Sequence, residues 1–271
     1  MTTFSVTRGA FGERTFKAAT LSALLLLLLF FLGITLSLAW YTDIRTFFKL
    51  LFSDEILFAI KLSIVTATAA TIASVVVAVP AAYAISRTEF PGKDIVDTVL
   101  DLPIVISPIA LGAALLVFFN TPIGKIVELK FTGFVFEVPG IVLAQFTVVS
   151  ALAIRLMKST FDGIGTRYED VARTLGCSKW EAFFKVTLPL SKNGLIAASI
   201  LTWARAIGEF GATVTLAGAM KMKTETLPIA IFLKLAKVDV EGAVAIIFVL
   251  IAIALIALLF IRKITGKGYT I

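Results

Sequence analysis

The stretch Gly165-Thr-Arg-Tyr-Glu-Asp-Val-Ala-Arg-Thr-Leu-Gly-Cys-Ser-Lys-Trp-Glu-Ala-Phe-Phe-Lys-Val-Thr-Leu-Pro189 packs two helix starts and one helix stop into a single loop. Thr166 followed by Glu169 has capping-box spacing, in which each side chain satisfies an amide at the helix start. Gly176 can take the left-handed conformation that closes that helix. Ser178 followed by Glu181 repeats the box and opens a second short helix, and Pro189 resets the chain after it. Val171, Ala172 and Leu175 form one apolar edge; Trp180, Phe183 and Phe184 form another. The expectation is two short helices meeting at a tight corner at Gly176. Two readings fit such a corner: a docking element, or an amphipathic segment lying in a headgroup layer with its aromatics and lysines.

What flanks this loop is membrane. Of the 271 residues, 59% are hydrophobic and 16% charged, and the mean hydropathy is +0.99. That leaves too few polar side chains to cover a soluble domain. A span needs about 20 apolar residues, and six stretches supply them: 18–41, 57–86, 95–119, 139–159, 190–218 and 242–261. The first ends at Trp40-Tyr41, an aromatic pair suited to a membrane interface. Its charged start also has the outline of a signal peptide, but the run is too long and lacks a small-residue cleavage site.

With the N-terminus inside, fifteen of the 25 Lys and Arg residues fall in inner segments and eight in outer ones; Lys61 and Arg205 lie within spans. The positive-inside rule therefore places both termini in the cytoplasm and the protein in the plasma membrane, although segment 219–241 is unusually basic for an outer one. Lys221 and Lys223 in that segment read as solvated loop charges, or as attractors of an anion or an acidic partner. The predicted fold is an all-α integral membrane protein, one domain over 1–271, with six transmembrane helices and the two-helix loop between the fourth and fifth.

Several chemistries drop out. There is no histidine, and Cys177 is the single cysteine, so His or Cys metal centres and an intrachain disulfide are excluded. Cys177 reads as a small packing residue of the corner. No Gly-x-x-x-x-Gly-Lys-[Ser/Thr] loop occurs, so no ATP hydrolysis is expected of this chain and no cofactor in it. A net charge of +7 in a membrane chain reflects topology, so nucleic-acid binding is a poor reading and membrane lipid the expected surrounding.

Two spans carry polar devices. In the fifth, Thr202, Arg205, Glu209 and Thr213 are spaced to form one polar stripe, and Arg205 and Glu209 lie one turn apart and can pair. Gly208, Gly211 and Gly218 would admit a close backbone. The pair reads either as a structural lock between helices or as a direct contact for a solute. In the third span Pro103 and Pro108 leave the carbonyls of Val99 and Ile104 without helical donors, and Ser107 is placed to re-satisfy the break. These two spans are expected to line and gate a pathway, against the alternative of ordinary kinks packed in protein.

Asp170-Val-Ala172, Gly176 and Val186-Thr-Leu-Pro189 resemble the E-A-A-x3-G-x9-I-x-L-P loop of ABC importer permeases, with Asp170, Val171 and Val186 departing conservatively. The resemblance implies that this loop, about 166–189, is the coupling helix that sits in a groove of a cytoplasmic ATPase. Its docking residues would be Glu169, Asp170, Val171, Ala172, Arg173, Leu175, Gly176, Ser178, Leu188 and Pro189. The run Gly208-Glu-Phe-Gly-Ala-Thr213 and the segment Asp101-Leu-Pro-Ile-Val-Ile-Ser-Pro-Ile-Ala-Leu-Gly112 are similar to the molybdate, tungstate and sulfate branch of those permeases. That implies two permease copies forming a pore, ATP and Mg bound by partner ATPase subunits, and an extracytoplasmic oxyanion-binding protein. The pathway and gate candidates are Pro103, Ser107, Pro108, Arg205, Glu209 and Thr213. The rivals are a sulfate importer of the same type, an ion-coupled secondary transporter using Arg205 and Glu209, and a membrane enzyme, which lacks a convincing catalytic set.

Overall fold

The computed structural model describes residues 6–41 and 43–265, and every regular element among them is helical. The termini that the charge distribution places inside, 1–5 and 266–271 with Lys267, lie outside the described residues. The chain divides into two compact units, residues 1–49 and 50–271. In the first, the Leu/Phe run forms helix α1 (Val6–Leu38), closed by a 3-10 turn at Ala39–Tyr41. A short amphipathic helix, α2 (Ile44–Leu51), follows.

The second unit is built around α3 (Asp54–Arg87) and α7 (Val138–Asp162). Ser53 caps α3 by accepting from the Ile56 amide, with Asp54 and Glu55 in its first turn and Arg87 in its last, matching the helix dipole. Small residues of α3 are buried where it packs with α7: Ala78 and Ala82 share one core with Ala153, Ile154 and Met157, and Ala67 shares another with Val149. In a bilayer, where apolar burial between helices has little driving force, this close approach is what makes dispersion contacts count.

Among the described residues, four helices are long and apolar enough to cross a membrane: Thr15–Tyr41, Asp54–Arg87, Val138–Asp162 and Val240–Ile264. The last belongs to α13 (Val240–Thr265). The number rises to six if each of two bent pairs counts as one span. The stretch 95–119, expected as one span broken at its prolines, is two helices: α4 (Lys93–Val105) and α5 (Pro108–Asn120), bent by 107°. Pro103 is carried inside α4, and the break falls at Ile106 and Ser107, both extended, with Pro108 as the first residue of α5. The Ser107 side chain makes no capping bond, contrary to expectation; its carbonyl instead accepts from Leu111. Helix α6 (Pro122–Lys130) follows, capped by Thr121.

The stretch 190–218 is likewise two helices, α10 (Leu188–Ile207) and α11 (Gly211–Ala217), bent by 56°. Two further helices precede α10: α8 (Arg167–Thr174) and α9 (Lys179–Ala182). The second halves of the bent pairs pack on each other through glycines. A Cβ on Gly112 of α5 would lie 2.7 Å from the Ala212 carbonyl oxygen and 2.9 Å from Thr215 Cβ; one on Gly211 would lie 3.1 Å from Pro108 Cβ. Phe119, Ala144, Val148, Ala212 and Leu216 close a core around this crossing. At the end of α10 the Ala206 carbonyl accepts from the Glu209 amide at 3.1 Å and also from the Gln145 side chain of α7 at 3.1 Å.

The segment 219–241 also differs from expectation. It contains an apolar helix, α12 (Leu227–Ala236), too short to span, whose first amide is held by Ser63 of α3 at 2.7 Å. Lys221 and Lys223 are not merely solvated: Lys221 pairs with Glu55 at 3.2 Å and Lys223 with Glu137 at 2.5 Å. Lys234 joins the same cluster, bridging Glu55 at 3.4 Å and Asp239 at 3.1 Å.

Gly112→Ala should force α5 from α11, because the added carbon meets backbone. We expect a loss of about 1–3 kcal/mol, read as a lower unfolding midpoint of the purified protein. An unchanged midpoint would mean that the crossing relaxes freely.

Candidate functional site

The corner forms where the loop predicts it, with one of its two caps replaced. Helix α8 ends in a Schellman motif: the Cys177 amide donates to the Ala172 carbonyl at 3.1 Å and the Gly176 amide to the Arg173 carbonyl at 3.0 Å. Gly176 has φ +94°, and a Cβ there would meet nothing within 4 Å, so conformation alone demands glycine. The Ser178 capping box is complete: its hydroxyl accepts from the Glu181 amide at 3.2 Å, and Glu181 accepts from the Ser178 amide at 2.9 Å. Lys185 pairs with Glu181 at 2.9 Å; with the Ser178 bonds it pulls that carboxyl down to about 2.

The first box does not form. Thr166 has helical backbone angles and makes no side-chain cap. Its intended partner, Glu169, turns inward instead. One carboxylate oxygen accepts from Arg87 Nε at 2.8 Å and the other from the Tyr83 hydroxyl at 2.8 Å. Arg87 Nη2 also donates to the carbonyls of Phe161 (2.9 Å) and Ile164 (2.7 Å), and Nη1 to Ser86 Oγ. The Arg87 and Glu169 side chains are only 9% and 11% exposed. Burial raises the Glu169 carboxyl, but the bonds from Arg87 and Tyr83 outweigh it and hold the group below its ordinary range.

The second expected short helix is not separate. Helix α9, a π turn at Phe183–Thr187 and α10 run on as one helix from Lys179 to Ile207. Pro189 has no amide for the Lys185 carbonyl, and the helix absorbs this by widening: the Leu188 amide reaches back five residues to the Phe183 carbonyl. Pro189, the second residue of α10, therefore lies inside a continuing helix, and no reset occurs. Phe183 faces inward against Tyr83, with ring centres 4.7 Å apart, while Trp180 lies tilted against Phe184 outside, 4.6 Å between ring centres.

Six of the expected docking residues, Asp170, Val171, Arg173, Leu175, Gly176 and Ser178, are exposed on the corner, and Leu175 is 81% exposed. Glu169 and Ala172 are buried behind them; Leu188 and Pro189 sit at the start of α10.

The intramembrane candidates are brought together in part. Arg205 Nη1 pairs with Glu209 Oε2 at 2.6 Å, as the spacing predicts. Glu209 is buried, and its other oxygen accepts from the Ala212 amide at 3.0 Å, capping α11. The bend between Ile207 and Gly211 means that the four polar residues do not share one straight helix. Thr202 bonds back to Ala198, and the buried Thr213 hydroxyl has no hydrogen-bond partner among the described residues. Of the glycines, Gly211 meets Pro108 and Gly218 meets Phe136, while Gly208 has no such close neighbour. Pro108 thus sits against α11 beside Glu209, whereas Pro103 lies across the bend on α4.

Two arginines missed as site residues hold these pieces. Arg87 and Arg155 appear in the sequence as inner-segment charges. Arg155 of α7 pairs with Asp97 at 2.8 Å and also with Asp101, fixing α4. The available signal was an arginine in the last turns of an apolar helix with acidic residues in another segment, a later one for Arg87 and an earlier one for Arg155.

Residues 74–266 match the family described as "Binding-protein-dependent transport system inner membrane component". The chain is 35% identical over 206 residues to the molybdenum transport system permease protein of Escherichia coli K12, covering 74% of this chain and 90% of that one. It is 32% identical over 255 residues to a sulfate transport system permease protein of Synechocystis, covering 90% and 92%. Its fold is similar to a chain of a bacterial alginate ABC transporter, solved in complex with an alginate-pentasaccharide-bound periplasmic protein. The TM-score is 0.75 at 17% identity, covering 97% of each chain.

Glu169→Gln should expose the value of the buried pair. Its folded-state titration lies below the ordinary 4.5, so its contribution is complete above that value and is lost as pH falls through the folded one. The variant should unfold earlier at neutral pH, by roughly 3 kcal/mol for a broken buried pair. The gap to the unsubstituted protein should close in acid. A gap that does not change with pH would contradict the assignment.

Proposed function

Because the chain belongs to the family of binding-protein-dependent transport system inner membrane components, the permease subunits of ABC importers, we propose that its cargo is molybdate or tungstate. It is a multi-pass plasma-membrane subunit. Residues 1–271 act as one permease domain, each bent pair serving as one span to give six, with both termini in the cytoplasm. The Gly208–Thr213 run and the molybdenum permease relative support the oxyanion. The sulfate permease relative favours sulfate as the second reading.

The observation that carries the docking role is the corner itself. A Schellman motif and a capping box lock a short helix against a long one and hold Asp170, Val171 and Leu175 out into solvent. Exposed apolar side chains on a rigid turn suit insertion into a groove on a partner. We assign that partner as a cytoplasmic ATPase subunit, which binds ATP and Mg and does the chemistry; this chain is non-catalytic. A second copy of the chain completes the pore, and a soluble binding protein delivers the oxyanion from outside.

ATP binding closes the ATPase pair, moves the two corners and turns the pathway outward; hydrolysis and release return it inward. Within the membrane, α5 and α11 meet at the glycine crossing and form the gate. Arg205 keeps 40% of its side chain exposed while Glu209 is 1% exposed, which supports a pathway that meets the cation of the pair and not the anion. That polarity suits a dianion passing weakly bound. It fits a proton-coupled carrier poorly, because Glu209 is held at both oxygens.

Reconstitution tests this. In liposomes with its ATPase and binding protein, ATP hydrolysis should rise when the binding protein is loaded with molybdate or tungstate. A rise with sulfate alone would shift the cargo to the second reading. Failure of the folded chain to associate with any ATPase would end the importer reading.

A further inference from the structure

Arg87 is spent on three elements at once. Its guanidinium holds Glu169 at the start of α8 through Nε, and the Phe161 and Ile164 carbonyls at the end of α7 through Nη2. Its own backbone ends α3. Carbonyls at a helix C-terminus are the negative end of the dipole, so these are charge-assisted bonds in a buried site. Tyr83, one turn earlier on α3, takes the remaining Glu169 oxygen. Both oxygens of one corner carboxylate are therefore held from α3. The same three side chains line one wall of a cavity of about 590 Å³ between the corner and α3, with Val79 and Pro80 on one side and Trp180 and Phe184 on the other, and the remaining contact there is apolar, Phe183 on Tyr83. The polar tie between corner and spans is concentrated at this cluster.

The helix that receives it is tied onward. Arg155 on α7 holds Asp97 and Asp101 of α4, the helix that ends at the bend before Pro108. We infer that Arg87 is a positioning residue that makes the corner move as one body with α3 and α7, so that a displacement of the corner is delivered through Arg155 and α4 to the bend beside the glycine crossing. The continuous Lys179–Ile207 helix is the other route from the corner, and it reaches α11 only through the 56° bend. This inference rests on the corner being the ATPase contact.

The test uses the complete complex in proteoliposomes and reads ATP hydrolysed per oxyanion imported. Arg87→Lys keeps a cation opposite Glu169 but loses the planar fork that also reaches the two carbonyls. Tyr83→Phe removes one hydrogen bond and no charge. Neither residue lies on the exposed face of the corner, so ATPase association should persist. The ratio should rise about threefold or more for Arg87→Lys, the scale of the smaller coupling losses, and rise less for Tyr83→Phe. A cluster that only holds the fold together would lower the yield of assembled complex and leave the ratio unchanged in what assembles; that result in either variant overturns the inference. The unsubstituted complex is read first. Absence of stimulated hydrolysis there would remove the importer reading and this inference with it, whereas an unchanged ratio in the variants removes the inference alone.

Discussion

A guanidinium with about nine-tenths of its side chain buried must have its donors filled, and Arg87 fills them from three helices. Leaving such a charge unpaired costs several kcal/mol. The ends of α3 and α7 and the start of α8 are therefore bound to one geometry. From that geometry the rest follows in order. Tyr83 and Phe183 pack beneath the corner, the Gly176 turn faces outward, and the helix starting at Lys179 is aimed back into the membrane.

The same arithmetic of satisfied polar groups governs the bends. Backbone within a bilayer needs a partner from protein or from water. At the end of α10 the Ala206 carbonyl has Gln145, and at the start of α11 the Ala212 amide has Glu209. With the bend between α10 and α11 held in this way, α11 meets α5 at glycine distance. An ion pair that reads in isolation as a lock or a solute contact is also a helix cap.

What could be read from the sequence was local. The Gly176 stop needs only its own residue and its neighbours, and so does the Ser178 box; both stand as the spacing predicts. The long apolar runs at 18–41, 57–86, 139–159 and 242–261 fall on the four long helices. What failed was decided by distant partners. Thr166 and Glu169 have the right spacing for a cap, but an arginine 82 residues away competes for the carboxylate and wins, because a buried charge pair outweighs a single amide bond. Pro189 has the composition of a stop, yet a π turn lets the helix continue. The break beside Ser107 is marked by Pro103 and Pro108, but its 107° angle, like the pairing of Lys221 and Lys223 with Glu55 and Glu137, has no local signature.

The account stands on the corner being the place where an ATPase touches this chain. Leu175, exposed at its tip, is the position to ask. In a Cys177→Ser background, Leu175→Cys is treated with a short bifunctional thiol reagent in membranes containing the assembled complex. A covalent adduct with the mass of this chain plus the ATPase subunit is the predicted result. A cysteine that reacts with water-soluble reagent yet forms no adduct would place the ATPase elsewhere and contradict the account.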